Sequence, residues 1–129
     1  MTVQQTPSLR LWLEGRRRSF AFAFRGMGTL WGQSNARIHA SATACAIIAG
    51  ALARLSAFEW ALITVCISSV WMAEAMNTAL EALADAAVPQ HHPLVGAAKD
   101  VAACAVLITA VGAVIVGALV FGPRLQTGP

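Results

Sequence analysis

Charge is what this sequence lacks. Lys, Arg, Asp and Glu make up 12% of its 129 residues, where a soluble domain carries about 25%. So few charges do not coat a globule, which argues against a water-soluble fold. With 57% hydrophobic residues in long blocks and a mean hydropathy of +0.64, the chain reads as an integral membrane protein. Cysteine is also scarce. Cys45, Cys66 and Cys104 are odd in number, lie inside apolar blocks and show no ligand spacing, so they read as small apolar filler rather than a redox or metal site. No G-x-x-x-x-G-K-[ST] run is present, which removes the soluble P-loop route to ATP. There is no internal repeat. Arg17-Arg18-Ser19-Phe20 loosely mimics a twin-arginine signal, but Arg25 interrupts the apolar stretch behind it and no clean small-residue cleavage site ends an apolar core.

What is present is apolar and helical. The expected fold is all-α: one small membrane domain of three transmembrane helices, at 37–55, 58–88 and 97–121, preceded by an amphipathic surface helix over 8–32 and a disordered tail over 1–7. A spanning helix takes about 20 largely apolar residues. The third span passes easily, since 101–122 contains no charge. The first is short and has Arg37, His39 and Arg54 at its ends, where long side chains snorkel to the interface. On the leading helix Leu9, Leu13, Phe20, Phe24, Met27 and Trp31 share one face, with Arg16 the one arginine among them. That pattern suits a helix lying on a membrane surface. Gly26, Gly28 and Gly32 are expected to break or bend it. Arg10, Arg16, Arg17, Arg18 and Arg25 precede the first span, Arg37 opens it and Lys99 lies at the edge of the second loop, so the positive-inside rule puts the N-terminus and that loop in the cytoplasm. The net charge of +3 comes largely from the N-terminal arginines and suits anionic lipid head groups. A nucleic-acid partner has little support.

Ionisable groups inside a membrane span usually face a packed interior and carry function. Here they concentrate in E-A-M-N-T-A-L-E-A-L-A-D (Glu74 to Asp85) and A-A-K-D-V-A-A (Ala97 to Ala103). On a helix Glu74, Asn77, Glu81 and Asp85 fall along one side. Simple polar glue between helices would need only one Asn or Gln. If Glu59 marks the outer interface, Glu74 lies about 22 Å along the axis, just below the cytoplasmic edge of a core about 30 Å thick. Glu81, Lys99 and Asp100 sit near that edge, within reach of both soluble phosphate donors and lipid head groups.

Phosphoryl transfer asks for those groups: oxygens to hold a divalent cation, a positive side chain for phosphate and a base for the acceptor hydroxyl. Glu81 with Asn77 can hold Mg²⁺, Lys99 can pair with a phosphate, and the deeply set Glu74 suits a general base. A proton or cation conduit draws on a similar inventory, although its carboxylates would lie at mid-membrane or be spread across it.

These residues carry a resemblance. E-A-M-N-T-A-L-E-A-L-A-D followed by H-P-L-V-G-A-A-K-D-V-A-A resembles the two motifs of the prokaryotic diacylglycerol kinase and undecaprenol kinase family, supported by A-F-R-G (Ala23 to Gly26), N-A-R-I-H (Asn35 to His39) and Glu59-Trp60. The likeness runs from about Phe20 to Phe121. It implies a small integral kinase of the bacterial inner membrane that moves the γ-phosphate of ATP, with Mg²⁺, to a lipid alcohol, undecaprenol or diacylglycerol. It also implies a homotrimer with active sites between subunits. By motif position Glu74 is the catalytic base, Glu81 a metal ligand with Asn77 beside it, and Lys99 and Asp100 the pair of the nucleotide site, with Asp85 closing the first motif. One position departs: the family often has a glutamate just before its N-x-R segment as a second metal carboxylate, and here it is Gln33. An amide oxygen still coordinates Mg²⁺ but brings no charge, so weaker metal affinity is expected.

The remaining candidates have ordinary readings. His91 and His92 read as loop residues and His39 as an interfacial side chain; Trp12, Trp31, Trp60 and Trp71 read as interface anchors and packing. Gly112 and Gly117 approach a small-residue packing pattern. The sequence reading is therefore a membrane lipid kinase, against two rivals: a cation conduit, and a non-catalytic membrane scaffold suggested by Gln33.

Overall fold

The computed structural model describes residues 9–126. Among them the chain is helical, with no strand: α1 is Leu9–Trp31, α2 Ser34–Leu52, α3 Ala57–Ala87 and α4 Pro93–Gln126. The tail expected over 1–7 lies outside the described residues. The helices form two compact units, α1 in one and α2 to α4 in the other, with the division after Gly32.

In α1 no residue is buried, and Phe20, Phe24, Met27 and Trp31 are all exposed on its apolar stripe. Gly26 and Gly28 do not interrupt it; the helix runs through both and stops at Gly32, whose N–H bonds Thr29 O. A long run of helix precedes these glycines, and the roughly 1 kcal/mol each costs relative to alanine does not undo that run. Arg16, the arginine inside the stripe, lays its guanidinium over the Trp12 ring, 5.2 Å from the centroid. This cation–π contact keeps the charge on an aromatic face.

The turn from α2 to α3 is specified residue by residue. Arg54 takes the left-handed conformation (φ 50°) after α2, its N–H bonding Ala51 O, and the Leu55 N–H reaches back to Gly50 O. These two bonds satisfy carbonyls that a helix end leaves free. Ser56 then caps α3. Its hydroxyl accepts from the Glu59 N–H, and the Glu59 carboxylate accepts from the Ser56 N–H at 2.8 Å, a reciprocal capping box. The chain doubles back, and α2 packs antiparallel to α3. Close approach at the turn depends on Gly50, because a Cβ there would lie 2.8 Å from the Trp60 ring and 3.1 Å from Leu55.

α3 and α4 form the main packed pair, with Leu55, Ile63 and Val120 buried at one end and Trp60, Ile67, Val116 and Phe121 around them. At the other end His92 starts α4: its Nδ1 accepts from the Leu94 N–H at 3.3 Å and its carbonyl from the Val95 and Gly96 N–H groups. Pro93 takes the first helical position, where its fixed φ fits and its missing N–H has no partner to lose. For this reason α4 begins a turn before Ala97. It continues past Phe121 through Pro123 to Gln126. Both α3 and α4 are long and apolar enough to cross a membrane; α2, 19 residues with Asn35, Arg37 and His39 in its first turns, does not meet the same measure. Glu59 pairs with Arg124 at one end of α3 and Asp85 with Lys99 at the other. The two acidic residues are separated by about 39 Å of helix, so the pairs bracket a hydrocarbon core of about 30 Å.

Candidate functional site

Glu74 is the largest fully buried side chain among the described residues, 1% exposed, and Asn77 and Thr78 beside it are buried too. All three lie on α3. A carboxylate and an amide do not sit in such a place without partners unless something other than packing keeps them there. Glu74 Oε2 and Asn77 Oδ1 are buried and have no hydrogen-bond partner among the described residues. Asn77 Nδ2 donates to Glu81 Oε1 at 3.1 Å, one turn further along. That bond orients the amide and leaves its oxygen free.

The partner helix brings an unforeseen residue. His39 Nε2 of α2 stands 3.8 Å from Glu74 Oε2, with its side chain mostly buried. One turn back along α3 the Trp71 indole donates to Thr43 Oγ1 at 3.1 Å. Together the two contacts fix the register of α2 on α3. Continuing it past His39 and Glu74 brings Gln33, the N-cap of α2, level with Glu81. Gln33 makes no side-chain cap bond, and no hydrogen bond joins it to Glu81 among the described residues. The sequence reads His39 as an interfacial side chain; its burial against Glu74 reflects a helix register that the sequence does not display. The nearest sequence hint is spacing, since Ala36, His39 and Thr43 share one helix face.

Lys99 and Asp100 do not join this line within the chain. Lys99 Nζ donates to Asp85 Oδ1 at 2.8 Å, and Asp85, Lys99 and Asp100 line a separate hollow of about 480 Å³ with the His91-His92 loop. The site residues thus fall into two neighbouring groups: Glu74 and Asn77 are buried on α3 with the half-buried Glu81 one turn on, and beyond them lie the exposed Asp85 of α3 and, on α4, the half-buried Lys99 and exposed Asp100. No cluster of three or more His, Cys, Asp or Glu side chains with metal-holding geometry occurs among the described residues. The oxygens of Glu81, Asn77 and Gln33 are nonetheless hard donors of the kind Mg²⁺ takes. Mg²⁺ commonly uses one or two carboxylates and fills its sphere with water and substrate phosphate, and the unpartnered Asn77 Oδ1 is a free ligand atom of that type.

A further space lies between α2, α3 and α4. It is an apolar cavity of about 230 Å³ with Ile63, Ile67, Val70, Ala113 and Val114 among its walls and His39 at the end nearest Glu74.

Comparison with known proteins gives a consistent picture. The sequence pattern described as Prokaryotic diacylglycerol kinase matches residues 21–121. The chain is 41% identical over 109 residues to the Undecaprenol kinase of Bacillus subtilis, covering 84% of this chain and 89% of that protein. It is 39% identical over 109 residues to the Diacylglycerol kinase of Synechocystis sp., covering 83% of this chain and 62% of that longer protein. Both central motifs and Gln33 fall inside the matched segment.

Proposed function

The chain belongs to the prokaryotic diacylglycerol kinase family, a membrane lipid kinase, and we propose that it transfers the γ-phosphate of ATP to a lipid alcohol at the cytoplasmic face of a bacterial membrane. The observation that carries this reading is Glu74, a buried carboxylate with an unpartnered oxygen, set beside the His39 that lines an apolar cavity.

In the proposed reaction Glu74 accepts the proton of the acceptor hydroxyl. The alcohol oxygen forms its bond to the γ-phosphorus as the bond from that phosphorus to the bridging oxygen breaks, and ADP leaves with the electron pair. Burial serves the base, because a carboxylate removed from water is not masked by solvent hydrogen bonds. Asn77, held by Glu81, presents its free oxygen, and Glu81 with Gln33 completes the protein's share of an oxygen site for Mg²⁺. The bound ion supplies neutralisation of charge on the phosphates. Lys99, paired with Asp85 near the start of α4, and the neighbouring Asp100 are assigned to the nucleotide.

Within one chain no hydrogen bond joins Lys99 or Asp100 to Glu74, Asn77 or Glu81 among the described residues, which leaves room for a neighbouring subunit to complete the site. A homotrimer is the proposed assembly. It is supported by the exposed apolar surface of α4, where a Cβ on Gly112 or Gly117 would meet nothing of this chain within 4 Å. The arginines before α2 and Lys99 near the start of α4 support a cytoplasmic N-terminus, with α2 as a third crossing. Undecaprenol is the proposed acceptor, in line with the name of the Bacillus relative. Purified protein offered labelled ATP and Mg²⁺ with undecaprenol and diacylglycerol side by side tests the reading; label in neither lipid ends it.

A further inference from the structure

The 3.8 Å approach of His39 to Glu74 has no part in the proposed reaction, and it rests on three independent features. First, Glu74 Oε2 has no hydrogen-bond partner among the described residues, and the imidazole stands 3.8 Å from it. A lone buried carboxylate is costly. Second, the contact is set in a fixed frame, with the Trp71–Thr43 hydrogen bond one turn away. Third, His39 also lines the apolar cavity between α2, α3 and α4, so one residue borders both that space and the Glu74 carboxylate.

From these features we propose that His39 is a positioning residue for the base, an inference that rests on the kinase reading. Its Nε2–H is directed at Glu74 Oε2 and holds the carboxylate in one rotation, leaving the other oxygen to meet the acceptor hydroxyl. At 3.8 Å the pair is too long to be a hydrogen bond. Contacts of this kind are commonly loose in a ligand-free protein and tighten when substrate is bound. Low polarity around the ring strengthens the interaction once formed. Glu74 remains the group that takes the proton; His39 determines how often its free oxygen points the right way.

This role differs from simple helix packing in what it does to kinetics. A residue that only orients the base changes turnover and leaves ATP binding alone, and a residue that only packs α2 on α3 can be replaced by an apolar side chain of similar size. The experiment uses the full chain reconstituted in lipid bilayers, with kcat and KM measured for ATP and for the lipid alcohol. His39→Leu is expected to lower kcat about tenfold or more, a usual cost for losing the partner that orients a functional group, with KM for ATP unchanged. His39→Gln, whose amide nitrogen falls near the Nε2 position, is expected to recover much of the rate, and His39→Asn, which reaches only the Nδ1 position, to recover little. Thr43→Val loosens the same helix pair without touching Glu74 and is expected to lower kcat far less than His39→Leu.

Wild-type kcat in His39→Leu overturns the proposal, and so does an equal loss in His39→Leu and Thr43→Val. If His39→Leu does not fold, the Gln and Asn variants decide: a faster Gln variant supports the role, equal rates overturn it. A wild-type protein that labels neither lipid alcohol is a different failure, of the kinase reading itself, and removes this inference with it.

Discussion

Glu59 and Arg124, 65 residues apart in sequence, meet as a two-pronged pair: one guanidinium nitrogen donates to Glu59 Oε1 and the other to Oε2 at 2.8 Å. The same Oε2 accepts from the Ser56 N–H and hydroxyl. One carboxylate therefore caps α3 and anchors the far end of α4. Replacing Glu59 by alanine removes the cap and the anchor together, whereas Arg124→Ala removes only the anchor. Thermal unfolding in detergent, followed by tryptophan fluorescence, is expected to show a lower Tm for both, with the larger drop for Glu59→Ala. Because this end of the hairpin is remote from Glu74, the surviving folded protein should keep its kcat.

Glu74→Gln keeps the size of the side chain and removes its capacity to accept a proton. General-base contributions run to about 10²–10⁴-fold, and turnover is expected to fall by at least the lower figure while Tm and oligomer size stay unchanged. Rapid-quench measurement of lipid phosphate, alongside size-exclusion chromatography, checks both halves. Full activity removes the assignment of the base.

Gln33→Glu adds a charge where the register of α2 on α3 comes level with Glu81. If Gln33 lies near the bound ion, the half-saturating Mg²⁺ concentration falls several-fold, since carboxylates bind this hard cation better than amides. Identical Mg²⁺ titrations for the two proteins refute it.

Lys99→Met leaves Asp85 without its partner and removes a positive charge from the loop hollow. KM for ATP is expected to rise, by about tenfold if the ammonium meets a phosphate directly, with KM for the lipid alcohol unchanged. A rise in the lipid KM alone would move Lys99 out of the nucleotide site.

Gly50→Ala sets a methyl group against the Trp60 ring and Leu55. Trp60 has to tilt and α2 has to move off α3, at a cost of about 1–3 kcal/mol for overpacking. Chemical unfolding in mixed micelles measures it. A neutral result means that the α2–α3 turn opens more readily than its capping suggests.

Much was legible in the chain before any fold was known, and the reason is that those features are local. Low charge and long apolar runs fix a membrane protein. The spacing of Glu74, Asn77, Glu81 and Asp85 follows from the 3.6-residue turn, and the stripe from Leu9 to Trp31 is periodic within a single helix. Each is a property of one segment in contact with solvent or lipid. Only the tertiary structure decided that His39 lies against Glu74, that Lys99 turns to Asp85 and that Glu59 holds Arg124. Those pairings depend on the rotation and axial register of one helix against the next. The register is set by the capped turn at Arg54 to Ser56, by Trp60 seated on Gly50 and by His92 starting α4, and hydropathy or periodicity along a single helix carries no record of how such contacts combine.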